Sequence, residues 1–492
     1  MQNFSEILET EQTLDPENWA SMKTLAHSMV DDMFNYFQQT RTRPVWQKTP
    51  QKVKENFQKN LPQKPSSPEE IYEDFKENIL PYNKGNVHPR FFSWVEGGGT
   101  PLGMMAEMLA AGMNPNVAIG DHAAMYVDKQ VVNWCKEIMN FPADASGVLV
   151  SGGSVANITA LIAAMNSFQE GKIKKNGLQS VDNQLVIYAS SETHNCIIKA
   201  AEVIGIGYEN VRNIAVNDDY CINIEALKQA IAEDKKVGNL PFCLVGNAGT
   251  VNTGAIDDLD ELLKIAKKEN IWFHVDGAFG ALAKLTPEFS EKLKAIEKAD
   301  SVAFDLHKWL YMHYEIGCVL VRDSKKHRAA FVQAKTANYL MSHERGLSAG
   351  LEPIANYGME LSRCFKALKA WMSFREHGIE KYAAMIRQNI AQAFYLGNLV
   401  ENEPNLELVA PVSMNIVCFR FIDNHLTINE LNELNKEILM QLQESGIAAP
   451  SYTVLHGKYA IRAAITNHRS RKEDFEMMAK AVVKIGENLL KK

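Results

Sequence analysis

The chain has 492 residues, 46% of them hydrophobic, which is ample for a large buried core and too long for one simple domain. Charged residues make up 23%, the formal net charge is -7, and no concentrated Lys/Arg block stands out, so nucleic acid and anionic membranes are poor partners. The polar, acidic start MQNFSEILETEQTLDPENWA lacks the basic and apolar runs of a signal peptide, and no stretch of about 18 uncharged apolar residues exists to span a membrane. The seven cysteines (Cys135, Cys196, Cys221, Cys243, Cys318, Cys364, Cys418) are scattered without a CxxC pair. That pattern points to a reducing cytoplasm and away from a disulfide framework or a metal site.

Residues 1–87 read as a helical arm broken by turns. NWASMKTLAHSMVDDMFNYFQQT has apolar positions at helical spacing, TPQKVKENF offers a Thr-Pro helix start, and Ser67 with Pro68 forms an N-cap and first position. This arm carries little chemistry and is expected to pack on another surface, such as a partner subunit. Residues 88–376 alternate apolar runs with helical stretches. GVLVSGG, NQLVIYAS, PFCLVGNAGT, IWFHVDGAFG, SVAFDLHKW and GCVLVRD each predict a buried strand, with helices such as SVANITALIAAMNSFQ and LDELLKIAKKEN between them. The alternation predicts an α/β fold whose central sheet is mostly parallel, with helices on both faces and ligands at the carboxyl ends of the strands. YGMELSRCFKALKAWMSFREHGIEKYAAMIRQNIAQAFYLGNLVENEP reads as long helices leaving that sheet. Residues 377–492 then mix strands (MNIVCFRF, YAIRAAITN) and helices into a smaller α/β domain.

Four polar groups stand just after successive strand runs. Ser151, Gly152, Gly153 and Ser154 lie between a strand and a helix, where bare backbone and a helix N-terminus make either a phosphate seat or a simple turn. The spacing is not the G-x-G-x-x-G of a dinucleotide site. His194 opens a helix, either meeting solvent or stacking on a flat ring. Asp276 ends a very apolar strand, as a cap, a salt-bridge partner, or a carboxylate facing a pyridinium nitrogen. Ala278 beside it leaves room for a planar ring. Lys308, between His307 and Trp309, is costly to bury unless it is paired, neutralised or covalently used. Together they occur in an order that suits pyridoxal 5'-phosphate.

At these residues the chain resembles the group II pyridoxal-phosphate-dependent amino-acid decarboxylases, which act on aromatic amino acids, histidine, glutamate or cysteine sulfinate. The matching pieces are HPRFFSW, GVLVSGGSVANITAL, THNCIIKAA, AGTVNTGAIDDL, IWFHVDGAFG, ADSVAFDLHKWL, SRCFKALKAW and GCVLVRD, in order over roughly residues 70–480. The resemblance implies a fold-type I (aspartate aminotransferase-like) enzyme, a homodimer with active sites at the interface. It implies that Lys308 holds the cofactor as a Schiff base, His194 stacks over the ring, Asp276 binds the ring nitrogen and Ala278 packs beneath. Gly153, Ser154 and His307 would hold the phosphate, and Thr250 would lie near the ring hydroxyl. In FVQAKTANYLMSHERGLSAG, Tyr339 matches a loop tyrosine that reprotonates the substrate α-carbon, and Arg363 matches an arginine near the active site.

Several positions depart from that family. Asp305 replaces an asparagine common at the phosphate, so it is expected to turn away or pair elsewhere. Val155, VEGGGTP and IGDHAAMYVD also differ, and Glu96, Asp121 and His122 in those segments would favour a substrate with a basic or polar end. The expected reaction is decarboxylation of an L-amino acid to its amine. The alternatives are an aldehyde synthase or aminotransferase on the same fold, or a catalytically silent dimeric relative. The substrate's identity and the roles of Asp305, Glu96 and Asp121 are not readable from sequence.

Overall fold

A computed structural model describes residues 12–168, 170–334 and 343–491. The chain divides after Gly85 into two compact units. In the first, Asn18 caps the helix Trp19–Gln38 by accepting from the amides of Ala20 and Ser21. Ser67 and Glu70 form a reciprocal capping box at the helix Pro68–Asn78. The Tyr72 hydroxyl reaches Asp32 across the unit at 2.7 Å. Trp19, Phe34, Phe57, Leu61 and Ile71 are all exposed, too many large apolar side chains for one small unit to hide.

The second unit holds two sheets. Seven strands line up in the order β2-β8-β7-β6-β5-β3-β4: β2 (Ser146–Val150), β3 (Leu185–Ser190), β4 (Val211–Ile214), β5 (Leu240–Asn247), β6 (Trp272–Asp276), β7 (Ser301–Asp305) and β8 (Gly317–Val321). β8 pairs antiparallel with both β7 and β2, while the other pairings are parallel. The reversal follows from the short return between Asp305 and Gly317, too brief for a crossover helix. Every residue of β3, β6, β7 and β8 is buried, which explains their uninterrupted apolar runs. The helices Gly153–Phe168 and Ala123–Met139 pack on the sheet.

The second sheet runs β1-β11-β12-β10-β9, with β1 (Phe91–Phe92), β9 (Leu406–Leu408), β10 (Ile416–Phe421), β11 (Ala449–Leu455) and β12 (Lys458–Ala464). β1 joins it in parallel with β11 although some 350 residues of chain lie between them. Phe92 packs against Phe475 in the core of this sheet, with the rings tilted at 32° and 5.4 Å between centroids. The residues after β1 are thereby drawn from the second sheet toward the carboxyl edge of the first. The long helix begins at Ala367 rather than Tyr357 and is broken at Gly378, whose φ of 68° leaves the helical region.

Candidate active site

A cavity of about 470 Å3 opens at the carboxyl edge of the seven-stranded sheet. After β2 the chain turns through Ser151 and Gly152 into the helix starting at Gly153, and the Ala156 amide closes the first turn on the Gly152 carbonyl at 2.9 Å. Gly152, Gly153 and Ser154 line the cavity, offering the unpaired amides of a helix start. A Cβ at Gly153 would come within 3.0 Å of Asp305 Oδ2 and 3.4 Å of Ala278 Cβ, and one at Gly152 within 3.2 Å of His307 Cε1. Bare backbone is what lets these groups share one cradle.

Asp276, the last residue of β6, is buried and points into the cavity. Its Oδ1 accepts from the Ala278 amide at 3.2 Å. Its Oδ2 is reached through a chain of donors that all run one way. Trp272 Nε1 donates to Ser301 Oγ at 2.8 Å, leaving the Ser301 hydroxyl to donate to His274 Nδ1 at 2.8 Å. His274 is therefore protonated on Nε2, which donates to Asn157 Oδ1 at 2.6 Å. Asn157 Nδ2 then donates to Cys196 Sγ at 3.2 Å, and the thiol ends 3.9 Å from Asp276 Oδ2. Burial lowers the pKa of His274 to about 4, which keeps it neutral. Burial, reinforced by Asp276, pushes the Cys196 thiol far up, which keeps its proton in place. The result is a carboxylate approached by donors on both oxygens, ready for a cation on its open side.

His194 stands at the cavity, its Nδ1 accepting from the Cys196 amide at 3.2 Å. Withdrawal from water lowers its pKa against the opposing pull of Asp276. His307 is buried with Nδ1 2.9 Å from the Ile316 carbonyl oxygen, and burial lowers its pKa too. Its ring lies 4.3 Å from that of Tyr314.

Lys308 follows β7 in the short helix Leu306–Trp309. Its side chain keeps 22% exposure, into the cavity, and Nζ lies 2.8 Å from Asp305 Oδ2. Asp305 is the N-cap of that helix, yet its side chain does not cap it. It pairs with Lys308 instead, as an expectation of pairing elsewhere requires, but it does not leave the glycine cradle. Although burial opposes it, the neighbouring Asp305 and Asp276 carboxylates raise the Lys308 pKa overall.

Four sequence expectations fall away from the cavity. Thr250 is buried with its hydroxyl 3.0 Å from that of Thr253 and accepting from the Ala255 amide, closing a turn after Gly249 (φ 93°). Only its neighbours Gly249 and Val251 reach the cavity. Arg363 is buried on the carbonyls of Val117 and Leu149, at 3.0 and 2.8 Å, and braces the end of β2. Asp121 accepts from Tyr126 at 2.7 Å, and neither it nor His122 lines the cavity. Tyr339 lies outside the described residues. Glu96 does line the cavity, with Trp94 of the HPRFFSW stretch and with Tyr314 and Glu315, two residues that nothing in the sequence marks as special. Basic side chains of β12 and of the segment after it hold the backbone around this rim. Arg462 bridges the carbonyls of Trp94 and Val251, at 3.1 and 2.9 Å, and Arg469 holds those of Gly98 and Gly99 at 3.0 and 2.9 Å.

The model of the pyridoxal-dependent decarboxylase conserved domain matches residues 50–422. The chain belongs to the pyridoxal-dependent decarboxylase family. It is 32% identical to the aromatic-L-amino-acid decarboxylase of Bacillus atrophaeus over 460 residues, 92% of this chain and 93% of that protein. It is also 30% identical to the phenylacetaldehyde synthase of Petunia hybrida, over 94% of this chain and 92% of the other. Among solved structures it matches Catharanthus roseus tryptophan decarboxylase in complex with L-tryptophan, with a TM-score of 0.84 and 25% identity over 96% of this chain and 100% of that one. As a member of this family the chain is a pyridoxal-phosphate-dependent enzyme with the fold-type I architecture. The residues present fit that cofactor: a glycine cradle at a helix start, a donor-fed carboxylate and a lysine share one cavity.

Proposed function

We propose that this pyridoxal-dependent decarboxylase converts an L-amino acid to the corresponding amine and carbon dioxide, with Lys308 as the covalent anchor of the cofactor. The observation that carries this is that Lys308 lines the same cavity as the Gly152–Gly153 cradle and Asp276, with its Nζ held at Asp305. Bound there, pyridoxal phosphate supplies an electron-poor ring that takes up the electrons released when the Cα–carboxylate bond breaks.

The chain's own residues do the rest. Lys308 would hold the cofactor and yield to the substrate amine. Asp276 would keep a proton on the ring nitrogen, supported by the donors behind it. His194 and Ala278 would flank the ring, and Gly153, Ser154 and His307 would hold the phosphate. Tyr339 would deliver a proton to Cα. The protein would work as a cytoplasmic homodimer with its sites at the interface, residues 1–87 packing on the partner, residues 88–376 binding the cofactor and residues 377–492 closing the site. The exposed Trp19, Phe34 and Ile71 support the first of these roles.

Borohydride reduction of the purified protein tests the anchor. A visible absorbance band that is absent in Lys308→Ala, with the reduced cofactor recovered on the Lys308 peptide by mass spectrometry, is the expected result. A band that persists in Lys308→Ala, or reduction onto another lysine, overturns it.

A further inference from the structure

Asp305 is the group that the proposed reaction does not use. It is 1% exposed, and its Oδ1 has no hydrogen-bond partner among the described residues. A buried carboxylate with an idle oxygen is expensive to keep, and this one is packed from three sides by bare backbone. A Cβ at Gly317 would lie 2.6 Å from Oδ1, and one at Gly153 3.0 Å from Oδ2. Asp305 stands at the N-cap of the Leu306–Trp309 helix, where an aspartate ordinarily caps with its side chain, yet no cap bond forms. The one strong contact is with Lys308, at 2.8 Å, three residues along a single helical turn.

We propose that Asp305 is a positioning residue that tethers Lys308 whenever the lysine is not covalently engaged, holding its ε-ammonium against the floor of the cradle and so setting how much of it stands ready as free amine. The proposal rests on the reading of Lys308 as the cofactor's anchor. A lysine released by an incoming substrate amine is then caught by a carboxylate at the cradle floor, rather than left to move freely over the cavity. The tether also restrains loading, because only the unprotonated amine attacks a carbonyl.

The pH response of Lys308 separates this from a merely structural Asp305. Among the described residues the lysine interacts electrostatically with Asp305 and His307 beside it, Asp276 at the end of β6, and His194 and Cys196 from the segment after β3, while Glu96, Tyr314 and Glu315 line the same cavity. The two histidines are driven toward neutrality and the thiol keeps its proton, so the carboxylates decide the lysine's charge, with Asp305 the nearer in effect. The Asp305→Asn variant keeps the shape and removes the charge.

The test is the rate at which acetic anhydride labels Lys308 in full-length protein stripped of cofactor with hydroxylamine, followed by mass spectrometry from pH 7 to 11. In Asp305→Asn the midpoint is expected to fall by about one unit or more, and labelling near pH 8 to quicken about tenfold. Asp276→Asn is expected to move the midpoint less. An unchanged midpoint in Asp305→Asn, or a larger shift in Asp276→Asn, overturns the tether. Should the single variant fail to fold, denaturation midpoints of Lys308→Met and Lys308→Met/Asp305→Asn read the same contact. The first strands the carboxylate and the second is expected to recover; equal midpoints overturn the pairing. Failure of the borohydride test would remove Lys308 from catalysis and leave these labelling results standing, so the two readings fall separately.

Discussion

Two side chains of β6 divide the work at the site between them, although they are only two residues apart. Asp276 faces the cavity, and its charge is the part a ring nitrogen can use. Asp276→Asn is expected to lower turnover by about 100-fold or more while the Lys308 absorbance band remains. Turnover within threefold of wild type, measured beside that band, would show that the carboxylate is not the ring's partner. His274 lies on the same face of the strand, buried behind Asp276, and acts only through its neighbours. Its folded-state pKa of about 4 lies below the ordinary 6.5, so the neutral form belongs to the fold. Its contribution is fully present above pH 6.5 and is lost as pH falls toward 4, amounting to about 3 kcal/mol. Denaturant titrations at stepped pH should therefore show a shallower acid slope in His274→Gln than in wild type between those limits. Parallel slopes would contradict the assignment. Burial lowers His327 and His468 to about 4 in the same way and lowers His194, His307 and His313 as well, so the wild-type slope belongs to all of these and only the difference belongs to His274.

Elements place these residues, and here a glycine has the sharpest consequence. Gly97 donates its amide to the His307 carbonyl at 3.1 Å, and a Cβ there would sit 2.4 Å from that oxygen and 2.7 Å from the Lys308 carbonyl oxygen. Gly97→Ala is expected to cost about 1–3 kcal/mol and to shorten cofactor retention on dialysis, because it pushes on the turn that aims Lys308. Gly112→Ala, in a helix with nothing within 4 Å of the new methyl, is expected to be neutral or to stabilise by about 0.5–1 kcal/mol. Thermal melts of the two variants check both. The same comparison explains what the sequence makes legible. β3, β6, β7 and β8 announce themselves because they are buried throughout and read as unbroken apolar runs, as do β2 and β5 beyond their first two residues. β1 has two residues, and β4 and β11 are only partly buried, so no pattern marks them. The pairing of Phe91 with Ala449 leaves no local trace, and so the arginines that hold the segment after Trp94 escape notice. Gly153, Asp276 and Lys308 were legible because each stands where an apolar run stops. Thr250 was not placed by that logic, since its hydroxyl closes a turn that only the tertiary fold reveals. The pairing of Asp305 with Lys308 needed the helical turn between them.

At the scale of the molecule, the carboxyl edge of one sheet carries the candidate site and the second sheet holds its rim. Arg462, Arg469 and Thr466 reach from β12 and the segment after it to the backbone of residues 94–99 and 251. The site is therefore only as well made as the fit between the two sheets. The first unit's exposed aromatic and aliphatic side chains ask for cover, and a second copy of the chain is the expected source. Light scattering in solution should then give a mass near twice 55.1 kDa. A fully active species of 55.1 kDa would contradict a shared site.

What the enzyme releases decides most directly which reaction it performs. Relatives that cover nearly all of this chain include both a decarboxylase and an aldehyde synthase, and the two chemistries differ in their products. Purified protein should be offered a panel of aromatic, basic and acidic L-amino acids, with carbon dioxide, amine, aldehyde and oxygen uptake followed together. One amine for each carbon dioxide with no oxygen uptake, and loss of amine in Tyr339→Phe, is the predicted result. Aldehyde formed with oxygen uptake by the wild-type protein, or amine at the wild-type rate from Tyr339→Phe, would contradict it.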